Sequence, residues 1–223
     1  MNLKNFLSTT LVLFTWLSGL AQLSVATDVS ILRNFNKNQK FWAFGQTVQA
    51  NFHLSKKDAV YTWISYYTSG KFKNNYTAIA KDPFATVPPS VRYTSYSALR
   101  YRHLSVGWKR YLLGSFDSEY RWNFYGYAGF GLLLGKASNT YNAVIDTASY
   151  RLNSPRLGEG NFKRLTLDLG LGGEFPLGTD IFLYTELRTW RPTTHYPSPY
   201  LNKDNYSIPA VGAVNLGIRI LLQ

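Results

Sequence analysis

The sequence predicts an all-β chain: an antiparallel up-and-down sheet of eight strands closed into a transmembrane β-barrel. Three observations carry that expectation. Apolar residues recur at every second position, which lines them up on one face of a strand and would scatter them around a helix. Connections alternate short and long, as in a barrel kept tight at one end and elaborated at the other. Glycines and ionisable groups share the polar face, a pattern that weakens a water-facing strand but makes room inside a narrow lumen.

Each element has its own pattern. In Arg164–Gly172 every odd position is Leu and every even one is polar or Gly. Over 122–134, Trp122, Phe124, Phe130, Leu132 and Leu134 share one face; Arg121, Asn123, Tyr125, Tyr127, Gly129 and Gly131 share the other. The runs 181–190 and 214–222 alternate likewise, as do 40–54, 60–69 and 92–112. A short, weaker segment, Asp28–Phe35, supplies the remaining strand, with Asn36–Gln39 as its turn. Tight turns are expected at Ser55–Asp58, Gly114–Glu119 and Pro176–Asp180, and long loops at about Asn75–Ser90, Ala137–Asn161 and Pro192–Pro209.

Composition narrows the class. Of 223 residues, 17% are aromatic and only 16% charged, which excludes disorder for most of the chain. Cys is absent, so disulfide scaffolds, thiolate zinc sites and Cys nucleophiles are excluded. Lys4 followed by the apolar run Phe6–Leu20 and by Gly19-Leu20-Ala21 reads as a secretory signal peptide over 1–21, cut after Ala21. Residues 22–223 would then form one barrel domain. No later segment is apolar for long enough to add a helical span.

Aromatic residues cluster near strand ends, at Phe41, Trp42, Trp108, Tyr111, Tyr120, Trp122, Phe175 and Trp190. Girdles at the two bilayer interfaces would look like this. Together with the signal peptide, the tight turns, the long loops and the terminal strand Ala213–Arg219, the chain resembles the small outer-membrane β-barrels of the OmpA/OmpX-like type over about residues 28–223. Gln223 departs from the aromatic terminal residue usual in that family. The resemblance implies a cell outer-membrane location, periplasmic termini and an even strand count.

The expected lumen charge network is Arg102, Arg121, Asp168, Glu174, Glu186, Arg188 and Arg219. An eight-stranded interior is just filled by side chains, so such a network predicts a plugged lumen. Arg100 and Arg102 have lipid-facing parity, so either they sit beyond the hydrocarbon or a β-bulge near His103 turns them inward; the bulge is expected. His103 and Ser105, with Glu119, faintly resemble the His-x-Ser pair of lipid A deacylase barrels. Strand phase puts both in the lumen, so no enzyme is expected. No metal or cofactor motif appears.

Basic residues Lys71, Lys73, Arg151, Arg156 and Lys163 are expected in an extracellular rim that binds outer-membrane lipid, the phosphates of lipopolysaccharide in particular. The formal charge of +12 suits that partner, and the secretory compartment argues against nucleic acid. Another envelope or secretion protein, as for the accessory barrel of a type IX apparatus, is the remaining partner class.

Overall fold

Period-two alternation becomes strand in every segment where the sequence shows it. A computed structural model describes residues 22–35, 38–118, 121–193, 198–201 and 211–222. The expected signal peptide, Asn36 and Lys37 of the expected first turn, Glu119, Tyr120, most of the expected Pro192–Pro209 loop and Gln223 lie outside the described residues. The strands are β1 (Gln22–Asn34), β2 (Phe41–His53), β3 (Asp58–Tyr67), β4 (Gly70–Ala80), β5 (Ser90–Leu113), β6 (Asn123–Tyr141), β7 (Tyr150–Arg151), β8 (Gly158–Pro176), β9 (Ile181–Pro192) and β10 (Val211–Leu222). Among the described residues no helix is long and apolar enough to cross a membrane.

All pairings are antiparallel. β1 pairs β10 from Leu23↔Leu222 to Asn34↔Val211, and β3 pairs β5 from Asp58↔Arg110 to Tyr66↔Arg102, which closes the ring. β3 and β4 together make one stave, because β4 takes over along β5 from Gly70↔Leu99 to Ile79↔Ser90. The two-residue β7 pairs only with the outer end of β4, outside the ring, so the result is an eight-stranded barrel.

Side chains sort inside-out. Val29, Trp42, Phe44, Val48, Ile64, Val106, Phe130, Leu169, Leu187 and Leu216 are exposed, whereas Asp28, Thr47, His103, Asp168, Glu174, Glu186, Arg188 and Arg219 are buried. A soluble barrel would invert this order; a membrane barrel requires it, because the hydrocarbon is the outer solvent. The outward row Val214–Leu222 of β10, at roughly 3.3 Å per residue and a tilt near 40°, spans about 20 Å, close to the ~25 Å apolar band of such barrels.

Four expectations change. The weak Asp28–Phe35 segment is the second half of a 13-residue strand beginning at Gln22. The expected loops at 75–90 and 137–161 shrink, because β4 continues to Ala80, β6 to Tyr141, and β8 already starts at Gly158. Beyond the apolar belt the outward face turns polar (Lys136, Thr140, Lys163) while the inward face holds apolar or small residues such as Ala137 and Phe162, so the apolar-out alternation inverts or fades although pairing continues. The β5–β6 register slips between Tyr111 and Leu113, and the pairing runs unbroken through His103, so the expected bulge there is absent. Of the aromatic residues assigned to girdles, Phe41, Tyr111 and Trp190 face inward and are buried; Trp42, Trp108, Trp122 and Phe175 face outward. Neighbours such as Phe41 and Trp42 must take opposite faces of a strand.

Candidate functional site: the filled lumen and the basic outer band

Near the tight-turn end of the lumen, Glu174 is the centre of a cluster of charges. Its Oε1 accepts from Lys109 Nζ at 2.8 Å and from Arg219 Nε at 3.2 Å, and its Oε2 accepts from Arg219 Nη2 at 2.9 Å and from the Tyr111 hydroxyl at 3.1 Å. The cations are further held by π-faces: Lys109 Nζ lies 3.4 Å from the Tyr125 ring centroid, and the Arg219 guanidinium 4.0 Å from that of Phe182. Phe116, from the turn after β5, folds in below, stacks on His53 at 4.2 Å and accepts from Arg219 Nη2 through its carbonyl at 2.7 Å.

Mid-lumen, Arg188 organises a second cluster. Its Nη2 donates to Glu186 Oε2 at 2.7 Å and lies 3.7 Å from Asp28 Oδ2. Its Nη1 reaches Thr47 and Ser65, both at 3.3 Å, and its guanidinium stands 4.0 Å over Trp63. The Tyr125 hydroxyl donates to Glu186 Oε1 at 2.8 Å, and that of Tyr184 to Asp28 Oδ2 at 3.0 Å. Asp168 lies 3.4 Å from His103 Nε2, which is 3.0 Å from Thr166 Oγ1. Toward the long-loop end the lumen turns apolar, with Leu32, Phe41, Tyr67, Tyr101, Leu133, Phe162 and Trp190 packed together.

Glycines make this filling possible. A Cβ on Gly170 would come 2.1 Å from the Tyr127 ring, and one on Gly172 2.4 Å from the Tyr125 ring. The polar face of β8 therefore needs Gly where a neighbouring tyrosine crosses the lumen.

The structure brings Glu174 to Arg219 and Glu186 to Arg188, with Asp168 in the same lumen. Two assignments fail. Arg102 points outward, 5.7 Å over the Tyr66 ring, because no bulge reverses its parity. Arg121 is exposed two residues before β6 begins, so strand parity does not apply to it. Sequence reasoning left out Asp28, Lys109, His103 and the buried Arg164 from the network. Each has inward parity, so the signal was available. Ser105 Oγ donates to the Phe130 carbonyl at 3.3 Å while His103 turns to Thr166 and Asp168, and both residues are buried. That is lumen packing, not a nucleophile presented with its base.

On the outer surface, bases gather directly beyond the apolar belt. Cross-strand partners run Arg102↔Leu134↔Lys163 and Arg100↔Lys136↔Asn161 over β5, β6 and β8. Leu104, Leu132 and Leu165 follow one step nearer the membrane centre. Lys136 pairs with Glu159, and that bond holds the Glu159 carboxyl below its ordinary range. Lys71 and Lys73 stand on β4 further out, whereas Arg151 (in β7) and Arg156 lie exposed in the 142–157 segment, well away from the belt.

A closed barrel with a charged interior and an apolar belt defines an outer-membrane type of fold. Among solved structures the chain is similar to the attachment invasion locus protein Ail of Yersinia pestis, at 12% identity and a TM-score of 0.50, over 91% of this chain and 99% of that one. It is also similar to a major outer membrane protein of Thermus thermophilus, at 11% identity, a TM-score of 0.47, and 90% and 99% coverage. The N-terminal β-barrel domain of Pseudomonas aeruginosa OprF aligns at 13% identity and a TM-score of 0.43, over 91% and 99%. No protein-family model matches the sequence, and no curated protein does. The chain thus has the fold of the small eight-stranded outer-membrane barrels.

Proposed function

We propose that this chain is an integral outer-membrane protein, delivered by a cleaved signal peptide, whose plugged barrel presents a basic surface to anionic glycolipid and carries out no catalysis. The observation that carries this reading is the placement of Arg100, Arg102, Lys136 and Lys163 on three adjacent strands, immediately beyond the belt. At that level an outer leaflet of lipopolysaccharide has its phosphates, which guanidinium and ammonium groups bind by charge-assisted hydrogen bonds. The lumen ion pairs of Glu174 and Glu186 and the apolar layer above them support a structural barrel over a porin. Arg102, expected in the lumen, joins the rim in this reading; Arg151 and Arg156 leave it.

The test is lipopolysaccharide binding by the refolded protein at low and high salt. Replacing Arg100, Arg102, Lys136 and Lys163 by Gln removes about 1 kcal/mol per base near an anionic surface, so binding at low salt should fall steeply. Replacing Lys71 and Lys73 instead should do less. Equal losses, or none, would defeat the rim assignment. Steady unit conductance in a planar bilayer would defeat the plug.

A further inference from the structure

At the long-loop end lies a concavity that neither the lumen nor the basic band uses. Tyr141, Val144, Ile145, Leu152 and Leu157 supply its larger apolar side chains, Arg156 is the one charged residue among the described lining, and its volume is about 490 Å³. Pockets for small ligands fall in this range, with apolar walls and a few placed polar groups. Val144 is fully exposed and Leu157 57% exposed, so apolar surface is offered to water here.

The wall is held in place by its own bonds. The Arg156 N–H donates to the Pro199 carbonyl at 2.7 Å, and the Arg156 carbonyl accepts from Asn139 Nδ2 at 3.0 Å. Ser154 Oγ is 2.7 Å from the hydroxyls of both Tyr93 and Tyr141, and Tyr141 also donates to the Pro155 carbonyl. Backbone on both sides of Arg156 is thereby fixed, while no carboxylate among the described residues pairs with its guanidinium; the side chain stands 6.0 Å over the Tyr200 ring.

We infer that this cavity binds a small amphiphilic carboxylate from solution, its aliphatic or aryl body against Ile145, Leu152 and Leu157 and its carboxylate on Arg156. Charge complementarity selects the sign, because the lining has a guanidinium and, among the described residues, no acid. A saccharide would find too few hydroxyl partners on these walls. A lipid seated in the bilayer cannot reach it: Tyr141 is nine residues beyond the belt residue Leu132 on β6, about 30 Å along the strand at ~3.3 Å per residue. The site is independent of the glycolipid-binding band, and its test reads different residues.

The experiment follows methyl NMR signals of Val144, Ile145, Leu152 and Leu157 in the full chain, held in phosphatidylcholine nanodiscs, during titration with octanoate and with the neutral octanamide. Saturable shifts at these methyls are expected, with octanoate binding more tightly. Arg156→Gln should weaken octanoate by about five-fold and leave octanamide unchanged, as befits an exposed charge at a rim. Leu152→Trp should fill the cavity and abolish both, with barrel methyl signals unmoved to show that the fold persists. Linear, non-saturating shifts overturn the proposal, as does octanoate binding that survives Leu152→Trp. Equal loss of octanoate and octanamide in Arg156→Gln overturns the role of the guanidinium.

Discussion

Lys109 Nζ lies 2.8 Å from Glu174 Oε1 with the two side chains only 2% and 1% exposed, and the same carboxylate is shared by Arg219. Two cations therefore depend on one anion, deep in the barrel. Removing both charges of a pair from water costs several kcal/mol per ion, repaid only by close geometry and further hydrogen bonds. Tyr111, the Phe116 carbonyl and the Tyr125 and Phe182 rings supply those here. Glu174→Leu strands two cations and should cost at least about 3–5 kcal/mol, while Lys109→Met leaves a complete Glu174–Arg219 pair and should cost clearly less. Urea unfolding followed by tryptophan fluorescence measures both. If Lys109→Met proved the more damaging, Glu174 would not be the centre of the cluster.

Gly170 tests the filled lumen from the side of volume. Its Cβ would overlap the Tyr127 ring at 2.1 Å, and Tyr127 is hemmed in by Tyr61, Trp63 and Tyr125. Gly170→Ala should destabilise the barrel by about 1–3 kcal/mol through overpacking. Gly178, in a tight turn with nothing within 4 Å, should accept Ala within about 0.5 kcal/mol. Similar unfolding midpoints for the two variants would mean that the lumen has slack.

What the sequence made legible follows from what alternation encodes. Parity along a strand says which face a residue takes, so Glu174, Glu186, Arg188, Asp168 and Arg219 could be placed inside from their own segments. Parity says nothing about register, so the approach of His103 to Asp168, on strands separated by β6, could not be read. Nor does it mark where a strand stops: alternation extends back to Arg121, whereas β6 begins at Asn123. Arg100 and Arg102 were ambiguous because a bulge and an early end to the hydrocarbon explain the same residues; the unbroken β5–β6 register decides for the second. Contrast inverted or faded beyond the belt, where the outward face turns polar and the inward face stays buried or half-buried, which hid the outer ends of β4, β6 and β8.

The turn at Asp146 has a pH dependence of fixed sign. Its carboxylate accepts from Ser149 Oγ at 2.6 Å and from the Ala148 N–H at 2.8 Å, and these bonds hold its pKa below the ordinary 3.8. A depressed carboxylate supports structure above its unfolded value, and that support is lost as pH falls through the lower folded value. Protection of the Ala148 and Tyr150 amides should therefore persist at pH 5 and fade only below about 4, as hydrogen exchange or NMR titration would record. Ser149→Ala removes the larger contributor and should move the midpoint up toward 3.8. A midpoint unmoved by that change would show that the hydroxyl does not support the turn.

The position of the membrane itself can be tested with one arginine in two places. Leu169 is outward-facing and 45% exposed, midway along the row that runs from Leu165 to Phe175 on β8, so in a bilayer it meets the hydrocarbon centre. Thr140 is outward-facing on β6 beyond Lys136, where the surrounding surface is already basic and polar. Arginine on a lipid face costs about 2–4 kcal/mol at the midplane and about 0–1 near the interfaces. Leu169→Arg should thus lower stability in phospholipid vesicles by that larger amount, with Thr140→Arg nearly neutral. The strands keep their hydrogen bonds in both variants, so the difference reports solvent alone. Were Leu169→Arg neutral in vesicles, or able to keep the protein soluble and folded without lipid or detergent, the apolar face would be meeting water and the transmembrane arrangement would be wrong.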